Sequence, residues 1–201
     1  MKLLMMRLTD QAHALIAKVF QAGETAIDAT AGNGHDTRFL CQLAGQSGKV
    51  FAIDIQQQAL DQAAVMLQDS EFHNFELICG NHCLLAELIP SEHRGHIGAI
   101  MFNLGYLPGG DHAQITDELS TLPAIEAALT LIRPGGIITI LAYPGHPGGA
   151  AETSAVATLL SQLEHSQFKT QLILPNTQST EAPRLFVVTR LKPASAESSI
   201  L

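Results

Sequence analysis

Short apolar runs of strand length alternate along the chain with stretches whose apolar residues recur at helical spacing. The runs are ETAIDAT, GKVFAID, FELIC, IGAIMFNL, GIITILAY, FKTQLIL and RLFVVTR, which predict seven strands. Helical patterns fill Thr37–Leu43, Gln56–Leu67, His82–Ile89, Leu119–Ile132 and Glu152–Leu163, and a further helix over Thr9–Phe20 precedes the first strand. This βαβ alternation predicts a mostly parallel α/β sheet with helices on both faces. After Leu163 the alternation stops. FKTQLIL and RLFVVTR are joined by the polar PNTQSTEAP without a helix, which predicts an antiparallel C-terminal hairpin.

A chain of 201 residues with 46% hydrophobic content supplies one well-buried core, so residues 1–201 are read as a single domain. An N-terminal helix falls within residues 1–22, and a flexible tail within 192–201, whose residues are small and polar. Eleven Lys and Arg against nineteen Asp and Glu give a net charge of −8, which excludes a broad grip on nucleic acid phosphate. The basic residues are scattered, so any RNA contact needs folding, or a homodimer, to pool them. Three cysteines are too few for a disulfide framework, and MKLLMMRLTD lacks the apolar stretch and cleavage site of a secretory signal. A cytoplasmic protein is expected. No apolar run approaches the roughly 20 residues of a membrane helix, so no membrane partner is expected.

Chemistry concentrates at the strand ends. Asp28-Ala29-Thr30-Ala31-Gly32-Asn33-Gly34-His35-Asp36-Thr37 runs from the first strand through a glycine loop into a helix. Gly32 and Gly34 allow a tight turn and close approach to a ligand, while Asp36 or Thr37 can cap the helix and leave N–H groups facing the cleft. Those groups suit the carboxylate of a methionyl moiety. The second strand ends in Asp54, placed to accept hydrogen bonds from both hydroxyls of a ribose, with Gln56 on the adjoining turn; the competing role is a helix cap. The loop lacks the third glycine or alanine of the dinucleotide fingerprint, and Asp28 can sit near a sulfonium-bearing amino acid, which favours S-adenosylmethionine over NAD. After the third strand, Asn81 and His82 lie where an adenine amino group can be read, although Asn81 equally suits a helix cap. Cys79, His82 and Cys83 have no second Cys/His pair at ligand spacing, and no metal site is expected.

The fourth strand leaves through Phe102-Asn103-Leu104-Gly105-Tyr106-Leu107-Pro108-Gly109-Gly110-Asp111-His112, and the fifth through Tyr143-Pro144-Gly145-His146-Pro147-Gly148-Gly149. Ligands in open α/β sheets bind outside the carboxyl ends of the strands, so both loops should wall one cleft. Asn103-Leu104-Gly105-Tyr106 resembles the Asn-Pro-Pro-Tyr motif of amino methyltransferases, in which the Asn side-chain oxygen accepts a hydrogen bond from the attacking amine. Methyl transfer from a sulfonium is an in-line displacement that needs an aligned nucleophile and exclusion of water. An alkylamine has an unperturbed pKa of about 10, so a proton acceptor is needed; Asp111, His112 and His146 are candidates, and each histidine equally suits loop stabilisation. Tyr106 is placed to stack on the substrate.

Taken together, these motifs resemble the YtqB-like (MnmM) family of class I S-adenosylmethionine-dependent methyltransferases, also grouped as rRNA methylases. The resemblance covers the glycine loop, Ala52-Ile53-Asp54-Ile55-Gln56, the Phe102–Asp111 loop, and Tyr143-Pro144-Gly145-His146 with Gly148, Gly149 and Glu152. It implies a Rossmann-like class I fold and methylation of the amine of 5-aminomethyl-2-thiouridine at the tRNA wobble position. It also implies that Asn33, His35, Asp54, Gln56, Asn81 and His82 line the cofactor site. The loop Thr180-Glu181-Ala182-Pro183-Arg184 departs from the family's Asn- and Pro-rich pattern. Methylation of rRNA or of a small-molecule amine, and a non-catalytic adenosylmethionine- or RNA-binding module, are the alternatives.

Overall fold

The computed structural model describes residues 6–68, 72–105, 116–177 and 179–193. The N-terminal helix α1 spans Leu8–Ile16, shorter than the Thr9–Phe20 pattern, because its end tightens into i→i−3 bonds from Lys18 to Leu15 and from Val19 to Ile16. Strand β1 (Thr25–Asp28), helix α2 (His35–Ala44), strand β2 (Lys49–Asp54), helix α3 (Gln57–Gln68) and strand β3 (Phe75–Cys79) follow. The expected helix after β3 is broken into a 3₁₀ turn, His82–Leu84, and a short α4, Leu85–Leu88. Strand β4 (Ile97–Asn103), α5 (Glu118–Leu131), β5 (Ile132–Ala142), α6 (Gly149–Ser161), β6 (Phe168–Ile173) and β7 (Arg184–Arg190) complete the order. The tail after Pro193 lies outside the described residues, as do Tyr106, Asp111 and His112.

The strands form a seven-stranded sheet in the order β3-β2-β1-β4-β5-β7-β6. The first five are parallel; β7 runs antiparallel to both β5 and β6. The C-terminal hairpin is therefore present, with its second strand inserted between the parallel sheet and its first. Strand β5 begins four residues before the predicted GIITILAY. Ile132 pairs with Ile97, and the next pair is Ala99 with Ile137, so Arg133–Gly136 forms an irregularity inside the strand rather than a turn before it.

Alternating positions go to opposite faces. Ile27, Phe51, Ile100, Ile138 and Val188 pack with Ala124, Ile125, Ala128 and Leu131 of α5 and with Val156 and Leu160 of α6. Their neighbours Ala26, Val50, Ala99, Ile137 and Val187 meet Leu8, Ala12 and Ile16 of α1 and Leu40, Cys41 and Ala44 of α2. Helix α3 packs Leu60 onto Ala31 and Ala52. Each fully buried Ile, Leu or Phe contributes about 1.5–3 kcal/mol, so the two apolar layers lock the strand ends into one fixed row. Among the described residues no helix is long and apolar enough to cross a membrane.

Candidate active site

The chain runs leftward from β1 to β3 and then returns to place β4 on the other side of β1. This reversal of strand order opens a crevice at the carboxyl ends of β1 and β4. A cavity of about 780 Å³ lies there. Its walls come from the loops after β1, β2, β3, β4 and β5, the start of α5, and the segment before β7.

Main-chain and side-chain bonds tie the first loop to both neighbours. Ala29 N–H donates to the Met101 carbonyl and Ala31 N–H to that of Ile53. Gly32 N–H donates to Asp54 Oδ2 at 2.8 Å, and Asn103 N–H donates to Thr30 Oγ1 at 2.7 Å. The loop therefore sits between β2 and β4 by direct bonds, and Gly32, Asp54 and Asn103 all line the same cavity. Asn33, His35, Gln56, Asn81, His82 and His146 line it as well.

The two glycines differ in role. Gly32 (φ +50°) faces the cavity. Gly34 (φ +81°) does not: a Cβ there would come within 2.8 Å of the Ala63 Cβ, so Gly34 serves the turn and the close packing of α3, not ligand approach. Gly34 is also the N-cap of α2, which has no side-chain cap. Neither Asp36 nor Thr37 caps it, contrary to the sequence expectation, because both carry other bonds. The first-turn N–H groups are thus left without a side-chain partner, the arrangement that favours an anion at a helix N-terminus.

Asp28 is a second correction. It is fully buried and lies off the cavity, accepting hydrogen bonds from Thr37 Oγ1 at 2.6 Å and from Thr30 N–H at 3.3 Å. Burial, aided by the charges of Asp36 and Asp54, pushes its carboxyl up to about 7. Asp28 supports the loop from beneath and presents nothing to a ligand.

Asp54 already accepts two main-chain N–H groups, from Gly32 at Oδ2 and from Gln56 at Oδ1, 2.9 Å away. Each oxygen retains a second acceptor position for a ligand hydroxyl. Asn81 takes the capping role, its Oδ1 accepting from Cys83 N–H at 2.9 Å, and the residue also lines the cavity. His82 is buried beside the Phe102 ring, and burial holds its imidazole below the usual histidine range.

Several roles around the site escaped the sequence reading. Asp36 lines the cavity and pairs with His13 Nε2 at 2.6 Å, while the His13 ring stacks on Phe39 at 3.8 Å. The partners come from α1 and α2, 23 positions apart, so no local spacing announces them. Asp117 and Ser120 form a capping box at the start of α5 and line the same wall; that box was legible as Asp-x-x-Ser. Glu152, fully buried on α6, accepts from Thr121 Oγ1 at 2.6 Å and Thr116 Oγ1 at 3.1 Å. Thr116 in turn accepts from Gly105 N–H and donates its own N–H to the Gly105 carbonyl. Gly105 and Thr116 are thereby pinned together, with Asn103 just ahead of the pair. Glu181, from the segment before β7, also reaches the cavity.

Two buried polar atoms on these walls, Asn33 Oδ1 and His82 Nε2, have no hydrogen-bond partner among the described residues. An acceptor and a ring nitrogen left so are sites where a bound polar ligand is expected to supply the missing groups. With the acidic end of β2 and the uncapped N-terminus of α2, they fit an amino acid joined to a nucleoside.

The family described as "Putative rRNA methylase" matches residues 50–189. The chain belongs to this family. A tRNA (mnm(5)s(2)U34)-methyltransferase, chloroplastic, of Arabidopsis thaliana is 37% identical over 169 residues, covering 80% of this chain and 61% of the relative, so the match spans about three-fifths of that longer protein. A solved structure from Clostridium thermocellum described as a "putative rRNA-methylase" superposes with a TM-score of 0.88 at 34% identity, covering 93% of this chain and 99% of that one. SMU.1697c of Streptococcus mutans, solved in complex with SAH, gives a TM-score of 0.82 at 32% identity, again covering 93% and 99%. The fold and the family are those of class I S-adenosylmethionine-dependent methyltransferases.

Proposed function

We propose that this chain transfers a methyl group from S-adenosylmethionine to the primary amine of 5-aminomethyl-2-thiouridine at the tRNA wobble position, giving the methylaminomethyl form. The observation that carries the proposal is the meeting of Gly32, Asp54 and Asn103 around one cavity, which puts a cofactor cradle beside an amide able to orient an amine. The name of the Arabidopsis relative supports the substrate.

Asp54 would take the ribose hydroxyls, with Gln56 beside it. The loop from Gly32 to His35 and the N-terminus of α2 would hold the methionyl carboxylate. Asn81 and His82 would border the adenine. When bound, S-adenosylmethionine supplies an electrophilic methyl on a positively charged sulfur. The chain's own contribution is placement and drying. Ala29, Ala31 and Leu104, all buried apolar residues on the cavity wall, exclude water that would compete with the amine. The Thr30 hydroxyl fixes the Asn103 main chain, and Glu152 through Thr116 fixes Gly105, so the Asn103 side chain is presented to the acceptor from a braced strand end. His146 lines the cavity and is proposed as catalytic; Tyr106 and Asp111, the other proposed catalytic residues, lie outside the described residues. In this reading residues 1–201 act as one catalytic domain, on tRNA of the cytoplasm.

Incubation with S-adenosylmethionine and tRNA bearing the aminomethyl group should add one methyl at the wobble uridine, read by nucleoside mass spectrometry. Cofactor binding without turnover on that tRNA would remove the substrate assignment. The family's description makes rRNA the second acceptor to compare, and a set of small amines the third.

A further inference from the structure

Four acidic residues line the cavity among the described residues: Asp36, Asp54, Asp117 and Glu181. Three of them are held by the protein. Asp36 pairs with His13, Asp54 accepts from Gly32 and Gln56, and Asp117 accepts from Ser120. The Glu181 carboxylate has no donor among the described residues; its only recorded bond there is through the main chain, to Ser179. Asp54 keeps acceptor positions for the proposed ribose, and Glu181 is the one of the four whose carboxylate takes no bond from the protein among the described residues.

Its place along the sheet says which ligand. Asp54 ends β2, the glycine loop follows β1, Asn103 ends β4, and Tyr143 and His146 follow β5. Glu181 precedes β7, the next strand in that row, and its main chain lies against Gly145, where an added Cβ would stand 3.3 Å from both the Glu181 carbonyl oxygen and its Cβ. If ribose sits at β2 and the methionyl end at β1, the acceptor must enter from the β5 and β7 side. A primary alkylamine arrives there as an ammonium. It then approaches a sulfonium, and two like charges repel unless a negative group faces them.

We infer that Glu181 is a specificity-determining residue that receives the ammonium of the acceptor and selects a cationic amine over a neutral group of similar size. This inference rests on the amine-methylation reading above. Glu181 is exposed as well as lining the cavity, so an incoming group can reach it from solvent.

Two anticodon stem-loop RNAs decide it, one with a 5-aminomethyl and one with a neutral 5-methyl group on the wobble uridine, titrated against protein saturated with S-adenosylhomocysteine. Wild type should bind the aminomethyl RNA about tenfold more tightly, the scale of one charge-assisted hydrogen bond. Glu181→Gln should bind both RNAs alike, and Glu181→Lys should reverse the preference, while calorimetry finds S-adenosylmethionine affinity unchanged in both variants. Retention of the preference in Glu181→Gln, or absence of it in wild type, overturns the assignment. Turnover is read separately on the same aminomethyl RNA. A wild type that discriminates in binding but transfers no methyl sinks the reaction reading and leaves Glu181 as an ammonium receptor.

Discussion

Asp28 shows how a single buried carboxyl couples the site to pH. In the unfolded chain an Asp titrates near about 3.9; folded, burial first and the charges of Asp36 and Asp54 next hold it up at about 7. The folded state thus keeps a proton that the unfolded state has released. Its contribution to stability is complete below the unfolded value and is lost as pH rises through about 7. Asp28→Asn cannot ionise and can still bond to Thr37 and Thr30. Urea midpoints at about pH 5 and about pH 8 should therefore differ less in this variant than in wild type, by on the order of 2 kcal/mol in stability. Asp54→Ala should weaken S-adenosylmethionine binding by about 1–3 kcal/mol, because it removes the proposed ribose acceptors and frees Gly32; unchanged affinity by calorimetry would contradict the ribose role. Asn103→Ala should lower kcat by about tenfold or more with cofactor affinity retained, since a misplaced nucleophile slows the chemical step. Equal turnover there would undo the amine-positioning role.

At the scale of elements, the braces matter more than the lining. Gly34→Ala would place a Cβ against Ala63 at a positive φ, which should cost about 1–3 kcal/mol of stability and loosen α2 from α3. Glu152→Ala would strand the Thr121 and Thr116 hydroxyls and unpin Gly105; a loss of about 2–4 kcal/mol by urea denaturation is expected, with Glu152→Gln losing less. The strands and most helices were legible because apolar periodicity reports burial directly. The departures have local causes: 3₁₀ tightening ends α1 early, Asn81 turns the start of the fourth helix into a 3₁₀ turn, and Arg133–Gly136 is absorbed as an irregularity in β5. Glycine loops and acidic strand ends could be read from chain order alone. The His13–Asp36 pair and the Glu152 anchor could not, because each joins residues brought together only by packing.

The whole molecule makes a cleft from chain reversal. Strand order turns back at β1 and β4, so motifs that are far apart in sequence share one row of strand ends. With a net charge of −8 and only eleven scattered basic residues, RNA binding cannot lean on many phosphates. The logarithm of the association constant should fall with the logarithm of salt at a slope shallower than about −4, corresponding to fewer than about five phosphate contacts; a steeper slope would show a basic surface assembled by some other means, such as a second copy. The insertion of β7 between β5 and β6 has a temporal consequence. During synthesis the parallel strands emerge first, yet β5 keeps an unpaired edge until Arg184–Arg190 has left the ribosome. Glu181, three residues ahead of that strand, joins the cleft only then, so a nascent chain can complete the cavity walls from β1, β2 and β3 well before the proposed acceptor side is in place.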